Sequence, residues 1–309
     1  MLKPMICVFS FLMAATVQAE LLSAEQLPGY FEAAPERVVS YDLSVVDTLV
    51  SLGVTPVGVP SSVFTGHLQA LNELPKAGSL FEPDVAALES LNPQLLIVGG
   101  RSRNTAEQLS KIAPTINFAD EQLKFLEQNA KTSRSLGQLF AKEALVEKQL
   151  EQIQTNVAQL HDLTQNQTGL MLFTMNGNVM AHAPGDRFGY MHELTGLTPV
   201  LPAAKPNANT SRPEPNSPEA KKLAQERINT LQNALASNPD WLIVLDRSAI
   251  NGGTKTAQET LSKHPVISQS AAFKDNRVIY VDPNGWYIIG SGLQNLTQIT
   301  EQFLTEMQR

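Results

Sequence analysis

Two well-separated segments of the chain share one pattern of apolar and polar positions. Residues 91–101 and 237–247 each contain an Asn-Pro pair, then an apolar run, then an arginine at the same offset. Proline has no N–H and disfavours helix in the residue before it, so each Asn-Pro pair marks a helix end. Each run is short enough to be a strand buried on both faces. The pattern predicts two helix–turn–strand units that present Arg101 and Arg247 beyond their strands.

Apolar runs and amphipathic stretches alternate along most of the remaining chain. We predict further strands and helices at these positions: strands at 37–42, 54–59, 114–118, 169–174 and 277–281, and helices at 44–52, 82–91, 105–112, 218–236 and from 293. Such alternation indicates an α/β fold, in which ligands bind beyond the carboxyl ends of the strands. We therefore expect two Rossmann-like lobes, each with an arginine at the functional end of its sheet. The alternative is that these are two ordinary helix–turn–strand units, which any α/β protein contains.

One stretch between the two halves is different in composition. Residues 121–163 lack proline and are rich in Leu, Ala, Lys, Glu and Gln, with apolar residues on one helical stripe. From about residue 142 to 161 they predict an uninterrupted helix on the order of 30 Å long. We expect a linking helix at 141–164 between an N-terminal lobe, 20–140, and a C-terminal lobe, 165–309. An ordinary surface helix of the first lobe is the alternative.

The first residues have the pattern of a secretory signal. Lys3 precedes an apolar stretch, and Val17-Gln18-Ala19 forms a small-residue cleavage site, so we predict a signal peptide at 1–19. Cys7, the one cysteine, lies inside it, which leaves the mature protein without a thiol. We expect a periplasmic protein, soluble after cleavage. The formal net charge of −7 and the absence of basic runs argue against nucleic acid and anionic lipid as partners.

Several short motifs, in this order and spacing, resemble those of one protein family. They are Arg37-Val-Val-Ser-Tyr-Asp, Gly100-Arg101, Ile112-Ala-Pro-Thr, Asp186-Arg187-Phe-Gly-Tyr, Val244-Leu-Asp-Arg247 and Asp282-Pro283 followed by Trp286-Tyr287. The chain resembles the periplasmic binding proteins of iron–siderophore ABC importers, in particular the catecholate branch. The resemblance implies the class III periplasmic binding protein fold, a monomer that is not an enzyme, and an inner-membrane ABC permease as partner.

The resemblance also implies a binding site in the cleft between the lobes. In the catecholate branch three arginines face the ferric ligand, and the matching positions are Arg101, Arg187 and Arg247. Tyr287, beside Trp286, matches a tyrosine that can bind iron directly. The histidine that accompanies it in those relatives is missing, since 201–218 contains none, which favours a siderophore that saturates the metal. The first-lobe loop adds Phe64 and His67 as candidates, and Glu73, Glu82 and Glu193 are candidates for permease docking.

The chemistry of such a ligand explains the expected arginines. A ferric ion with three catecholates carries three negative charges, which three guanidiniums with planar donor forks can neutralise. Binding needs no acid, base, nucleophile or cofactor, and the sequence has no Gly-x-Ser-x-Gly elbow. The open alternatives are the same fold binding haem, a corrinoid or a carboxylate siderophore, and, less favoured, an exported α/β hydrolase.

Overall fold

The computed structural model describes residues 20–119, 124–186, 188–204 and 213–309. The signal peptide predicted at 1–19 and the candidate ligand residue Arg187 lie outside these ranges. The strands are β1 (Leu21–Leu22), β2 (Val38–Ser40), β3 (Leu95–Val98), β4 (Thr115–Asn117), β5 (Thr168–Met175), β6 (Asn178–His182), β7 (Thr198–Pro199), β8 (Trp241–Asp246) and β9 (Val278–Tyr280). The α-helices are α1 (Leu27–Tyr30), α2 (Leu43–Ser51), α3 (Val85–Leu91), α4 (Ala106–Leu109), α5 (Phe125–Leu139), α6 (Glu143–Leu163), α7 (Tyr190–Thr195), α8 (Pro218–Ala236), α9 (Ala257–Lys263), α10 (Ala271–Lys274) and α11 (Leu293–Met307).

The strands form two sheets, which we call the N-lobe sheet and the C-lobe sheet. The N-lobe sheet has the order β1-β4-β3-β2 and is parallel throughout. The C-lobe sheet has the order β6-β5-β8-β9, with β7 also paired to β5, and only β6 is antiparallel. Asn176 and Gly177 both have positive φ in the β5–β6 hairpin, as a tight two-residue turn requires. The predicted α/β fold with two Rossmann-like lobes is confirmed.

Successive side chains of each central strand enter different cores. In β3, Leu95 and Ile97 belong to the largest core cluster, whereas Leu96 and Val98 join a cluster confined to the N lobe. The same alternation occurs in β5 and β8 of the C lobe. Because the largest cluster contains residues of both sheets and of α5, α6 and α11, one continuous apolar core joins the lobes.

The helical stretch between the sheets is divided into α5 and α6. Ala141, with φ 52°, breaks the helix, and α6 then runs uninterrupted from Glu143 to Leu163. Val146, Leu150, Ile153, Val157 and Leu160 form its buried stripe. α6 thus follows the N-lobe strands and leads directly into the C-lobe sheet.

The last helix, α11, begins against the N lobe. Asp47 of α2 is fully buried, and its Oδ2 accepts the backbone N–H groups of Gln294 and Asn295 at 2.9 and 3.1 Å. The N–H of Leu293 donates to Thr48 Oγ1. Two neighbouring residues of α2 therefore satisfy the first free N–H groups of α11, which has glycine at its own N-cap.

The strand predicted at 54–59 is wrong. Those residues make only isolated bridges, Val39 with Gly58 and Val59 with Lys76. Pro56 and Pro60 have no N–H to donate, so a continuous ladder cannot form there. The remaining predicted strands coincide with strands of the two sheets to within a few residues.

Candidate functional site

The two arginines predicted from the matched pattern occupy equivalent places in the lobes. α3 and α8 are each followed by an asparagine with left-handed backbone, Asn92 with φ 46° and Asn238 with φ 49°. Asparagine tolerates this conformation, which ends a helix and turns the chain. Arg101 then lies beyond the carboxyl end of β3 and Arg247 beyond that of β8.

Arg101 and Arg247 both contact one tyrosine, Tyr287. The guanidinium carbon of Arg101 lies 5.8 Å from the centre of the Tyr287 ring, and that of Arg247 lies 5.2 Å from it. These distances are typical of cation–π contacts. Tyr287 is half-buried, Arg101 is half-buried and Arg247 is exposed. The structure thus brings together three of the predicted site residues, one from the N lobe and two from the C-terminal part.

Arg101 also binds the main chain around Tyr287. Its Nη2 donates to the carbonyl oxygen of Tyr287 at 2.7 Å, and its Nη1 donates to that of Ile288 at 3.3 Å. Arg247 has a different environment, with Nη1 3.6 Å from the sulfur of Met175. The two arginines therefore resemble each other in position but differ in how firmly the protein holds them.

The ring of Tyr287 lies against an aromatic cluster of the C lobe. Phe188 stacks with it at 5.6 Å between ring centres, Phe173 lies 6.2 Å away, and His182 contacts both phenylalanines. Nδ1–H of His182 donates to Asp186 at 2.8 Å. Burial alone raises the pKa of Asp186, but His182 and the N–H groups of Phe188 and Ala183 outweigh it and hold that pKa below its ordinary value. Asp186 thus stays ionised and ties together His182, Ala183 and Phe188.

Trp286 is a packing residue in this structure. Its side chain is 2% exposed, and it stacks with Tyr190 at 4.6 Å and meets Phe303 edge-on at 5.7 Å. Tyr190 stacks in turn with Phe125 of α5 at 4.0 Å, with the two rings only 7° from parallel. We call Phe125, Tyr190 and Trp286 the ring stack. It joins α5, α7 and the segment before α11.

A cavity of about 220 Å³ lies at this place between the lobes. It is lined by Asp42, Ser44, Arg101, Phe125, Phe188, Tyr190 and the segment Trp286–Ser291. Its walls combine aromatic faces with the guanidinium of Arg101 and the carboxylate of Asp42, whose Oδ1 accepts the N–H and the hydroxyl of Ser44. The aromatic faces beside the guanidinium suit a planar anionic group. Of the residues predicted for the site, Arg101, Trp286 and Tyr287 line it.

The first-lobe candidates lie elsewhere. Phe64 is 4% exposed and packs in an N-lobe cluster with Leu43 and Leu68, so its ring is not presented to the cavity. His67 donates through Nε2 to the buried Asp47 at 2.6 Å, beside the start of α11. The structure does not bring Phe64 or His67 together with Tyr287, because tertiary packing uses both side chains to hold the first-lobe loop.

Of the docking candidates, Glu193 has an unexpected contact. Its carboxylate accepts the N–H groups of Phe125 and Leu126 at 3.2 and 3.0 Å, so a C-lobe side chain caps α5. Glu73 and Glu82 are exposed.

Sequence reasoning did not select four residues around Tyr287: Phe125, Phe173, Phe188 and Tyr190. Phe188 and Tyr190 belong to the motif that contains Arg187, and that motif was the one signal that could have identified them. In the described part of the chain, no three or more histidine, aspartate or glutamate side chains group as a metal site. Within the same residues, no helix has both the length and the apolarity needed to cross a membrane.

Comparison with known proteins decides the family. The family model for periplasmic binding proteins matches residues 38–284, most of the chain. The chain belongs to the periplasmic binding protein family.

Two relatives and two solved structures illustrate the similarity. The chain is 29% identical over 274 residues to the petrobactin-binding protein YclQ of Bacillus subtilis, covering 87% of this chain and 81% of that protein. It is 25% identical over 282 residues to the ferric-anguibactin-binding protein FatB of Vibrio anguillarum, covering 87% and 82%. The crystal structure of YclQ superposes with a TM-score of 0.76 at 26% identity, over 90% of this chain and 93% of that one. The periplasmic catecholate-siderophore binding protein VctP of Vibrio cholerae gives 0.74 at 27% identity, over 90% and 95%.

These relatives are binding proteins and none is named as an enzyme.

Proposed function

We propose that this protein binds a ferric catecholate-type siderophore in the cleft between its lobes and delivers it to an inner-membrane ABC permease. In this proposal it acts as a periplasmic monomer, exported by the signal peptide at 1–19, and needs no cofactor. The observation that carries the proposal is the approach of Arg101 and Arg247, from equivalent positions in the two lobes, to the single ring of Tyr287.

The electrostatics favour an anion with planar oxygen donors. A pair of unit charges about 4 Å apart gains roughly 1 kcal/mol in water and about 4 kcal/mol at an effective dielectric constant of 20. Arg101 is half-buried beside a cavity with aromatic walls, where water screens its charge less than on the open surface. The cavity of about 220 Å³ accommodates one planar ring of a ligand, while the rest occupies the cleft above it.

Tyr287 is the candidate protein ligand for iron when the siderophore leaves coordination positions open. The two guanidiniums lie against its ring, where they can also contact an anionic ligand bound beside it. Arg187, whose position lies outside the described residues, is proposed as the third cation from its place in the motif. For delivery, exposed Glu73 and Glu82 remain the proposed docking carboxylates of the N lobe.

A fluorescence titration of the purified protein tests this proposal, with Trp241 and Trp286 as reporters. The ligands are a ferric triscatecholate, a ferric biscatecholate, a ferric citrate-type siderophore and haemin. We expect tight binding of the catecholates, weakened about tenfold or more in Arg247→Gln, as loss of charge-assisted hydrogen bonds implies.

Arg134→Gln is the matched control, because it removes the same charge from a pair with Glu147 on the α5–α6 surface. Its affinity should equal that of the wild type. Binding of the citrate-type siderophore or haemin instead of both catecholates would keep the fold and refute the proposed ligand.

A further inference from the structure

Side chains from several elements bind the main-chain carbonyl groups of the segment 285–291. Asn295 donates to the carbonyls of Gly285 and Gly290, Asn129 to that of Ser291, Tyr190 to that of Trp286, and Arg101 to those of Tyr287 and Ile288. The segment begins with a π-helical turn, Gly285–Ile289, which is closed by the bond from the Gly290 N–H to the Gly285 carbonyl. Tyr287 thus lies on a segment of seven residues in which side chains hold six of the main-chain carbonyl groups.

The two peptide planes on either side of Tyr287 are each held by a different side chain. The hydroxyl of Tyr190 donates to the Trp286 carbonyl at 3.0 Å, which fixes the plane that ends at the Tyr287 nitrogen. Arg101 fixes the next plane through the Tyr287 carbonyl at 2.7 Å. Since φ and ψ are the only soft backbone dihedrals of a residue, these two bonds constrain the direction in which the Cα–Cβ bond of Tyr287 leaves the backbone. The ring itself is held by its packing on Phe188.

Tyr190 also connects this segment to both lobes. Its ring stacks with Trp286 on one hand and with Phe125 of α5 on the other. It is the first residue of α7, two positions after Phe188, whose ring packs on Tyr287. A displacement of Tyr190 would therefore move the backbone and the aromatic neighbour of Tyr287 together.

We propose that Tyr190 is a positioning residue for ligand binding, which sets the orientation of Tyr287 through the Trp286 carbonyl and ties it to α5. The inference rests on the proposed function, since it assigns Tyr287 a role toward the ferric siderophore. Tyr190 also lines the cavity, and the role proposed for it is the one exerted through Tyr287 and the ring stack.

Fluorine NMR of protein containing meta-fluorotyrosine tests the positioning without any ligand. The chain has five tyrosines, so the spectrum is simple, and the resonance of Tyr287 is the one lost in Tyr287→Phe. Tyr190→Phe removes only the hydroxyl and should shift the Tyr287 resonance. Tyr41→Phe is the matched control, because Tyr41 likewise donates to a backbone carbonyl, that of Ala77, within the N lobe. It should leave the Tyr287 resonance in place.

Ligand titrations then measure the functional consequence. Loss of one hydrogen bond that orients the binding tyrosine should weaken ferric biscatecholate binding about three- to tenfold in Tyr190→Phe. In a Tyr287→Phe background the same change should have an effect of less than about twofold, since coupled residues are not additive.

An unshifted Tyr287 resonance in Tyr190→Phe would overturn the inference, and so would equal weakening of binding in both backgrounds. If the wild type bound none of the ferric siderophores, the proposed function would fail, whereas the fluorine spectra would still decide whether Tyr190 positions Tyr287.

Discussion

Arg101 of the N lobe donates to the main-chain carbonyl oxygen of Tyr287, 186 residues further along the chain, at 2.7 Å. The same guanidinium faces the Tyr287 ring, so one side chain serves both the backbone and the proposed ligand surface. Arg247, its counterpart in the C lobe, faces the same ring but is exposed. The two arginines should therefore respond differently to substitution.

Removal of Arg101 should lower stability, and removal of Arg247 should not. Arg101→Ala deletes two hydrogen bonds to half-buried carbonyl groups, and we expect the free energy of unfolding to fall by about 1–3 kcal/mol. For the exposed Arg247→Ala we expect a change below about 0.5 kcal/mol. Urea unfolding followed by tryptophan fluorescence measures both. Equal losses in the two variants would show that the Arg101 contacts do not stabilise the fold.

Asp47 should be among the most sensitive polar residues of the N lobe. Asp47→Ala leaves the first turn of α11 and His67 without their acceptor in a fully buried place, and we expect a loss of about 2–4 kcal/mol. Asp84→Ala is the control, since Asp84 caps α3 at the surface and its removal should cost about 1 kcal/mol. Chemical denaturation of both variants measures the two losses in free energy of unfolding. Similar losses would contradict the role given to Asp47.

Gly292 should tolerate no side chain. A Cβ there would lie 2.4 Å from Asp47 Oδ2 and 2.5 Å from its Cβ, and Asp47 is held by three hydrogen bonds. Gly292→Ala should therefore destabilise the protein by about 1–3 kcal/mol through overpacking. Gly29→Ala, where a Cβ would meet nothing within 4 Å, serves as the control in the same thermal unfolding measurement. A neutral Gly292→Ala would mean that α2 and α11 separate easily.

Stability should fall on acidification because of His264. Its Nδ1 accepts the N–H groups of Val266 and Ile267, which a protonated ring cannot do, and burial lowers the pKa of His264 below its ordinary value of 6.5. Between the lowered and the ordinary pKa the unfolded chain binds more protons than the folded protein. Stability is therefore full above about pH 6.5 and declines as the pH falls toward the lowered value.

Urea unfolding at about pH 7.5 and about pH 5.5 measures this decline. His264→Asn offers an oxygen acceptor that does not titrate, so the decline should become smaller in this variant. It should not vanish, since burial also lowers the pKa of His192. An unchanged decline would exclude His264 as a cause.

Ligand binding should close the lobes only slightly. One apolar core runs through both sheets, and Glu193 and Tyr190 of α7 already contact α5. We expect the radius of gyration from small-angle X-ray scattering to change by less than about 1 Å when ligand binds, as in preorganised complexes. In Glu193→Ala the change should be larger, because the cap on α5 is lost. A change of several ångströms in the wild type would refute a rigid link.

The apolar pattern of the sequence predicted the fold because a buried parallel strand is a continuous apolar run. Such a run can be recognised without knowledge of its tertiary contacts. The two Asn-Pro pairs also predicted how α3 and α8 end, since that depends on the local preferences of asparagine and proline. The strand expected at 54–59 failed for a local reason as well, the absent N–H groups of Pro56 and Pro60.

The site depended on contacts that no local pattern contains. The sequence by itself determined that two arginines follow equivalent strands. In both 91–101 and 237–247, the apolar run and the arginine that follows it lie within one short segment, at the same spacing. Only the tertiary structure decided that both meet at Tyr287, that Phe64 and His67 turn to the N-lobe interior, and that Glu193 caps α5. These partners lie tens to hundreds of residues apart, and their meeting is fixed by how the two sheets, α6 and α11 share one core.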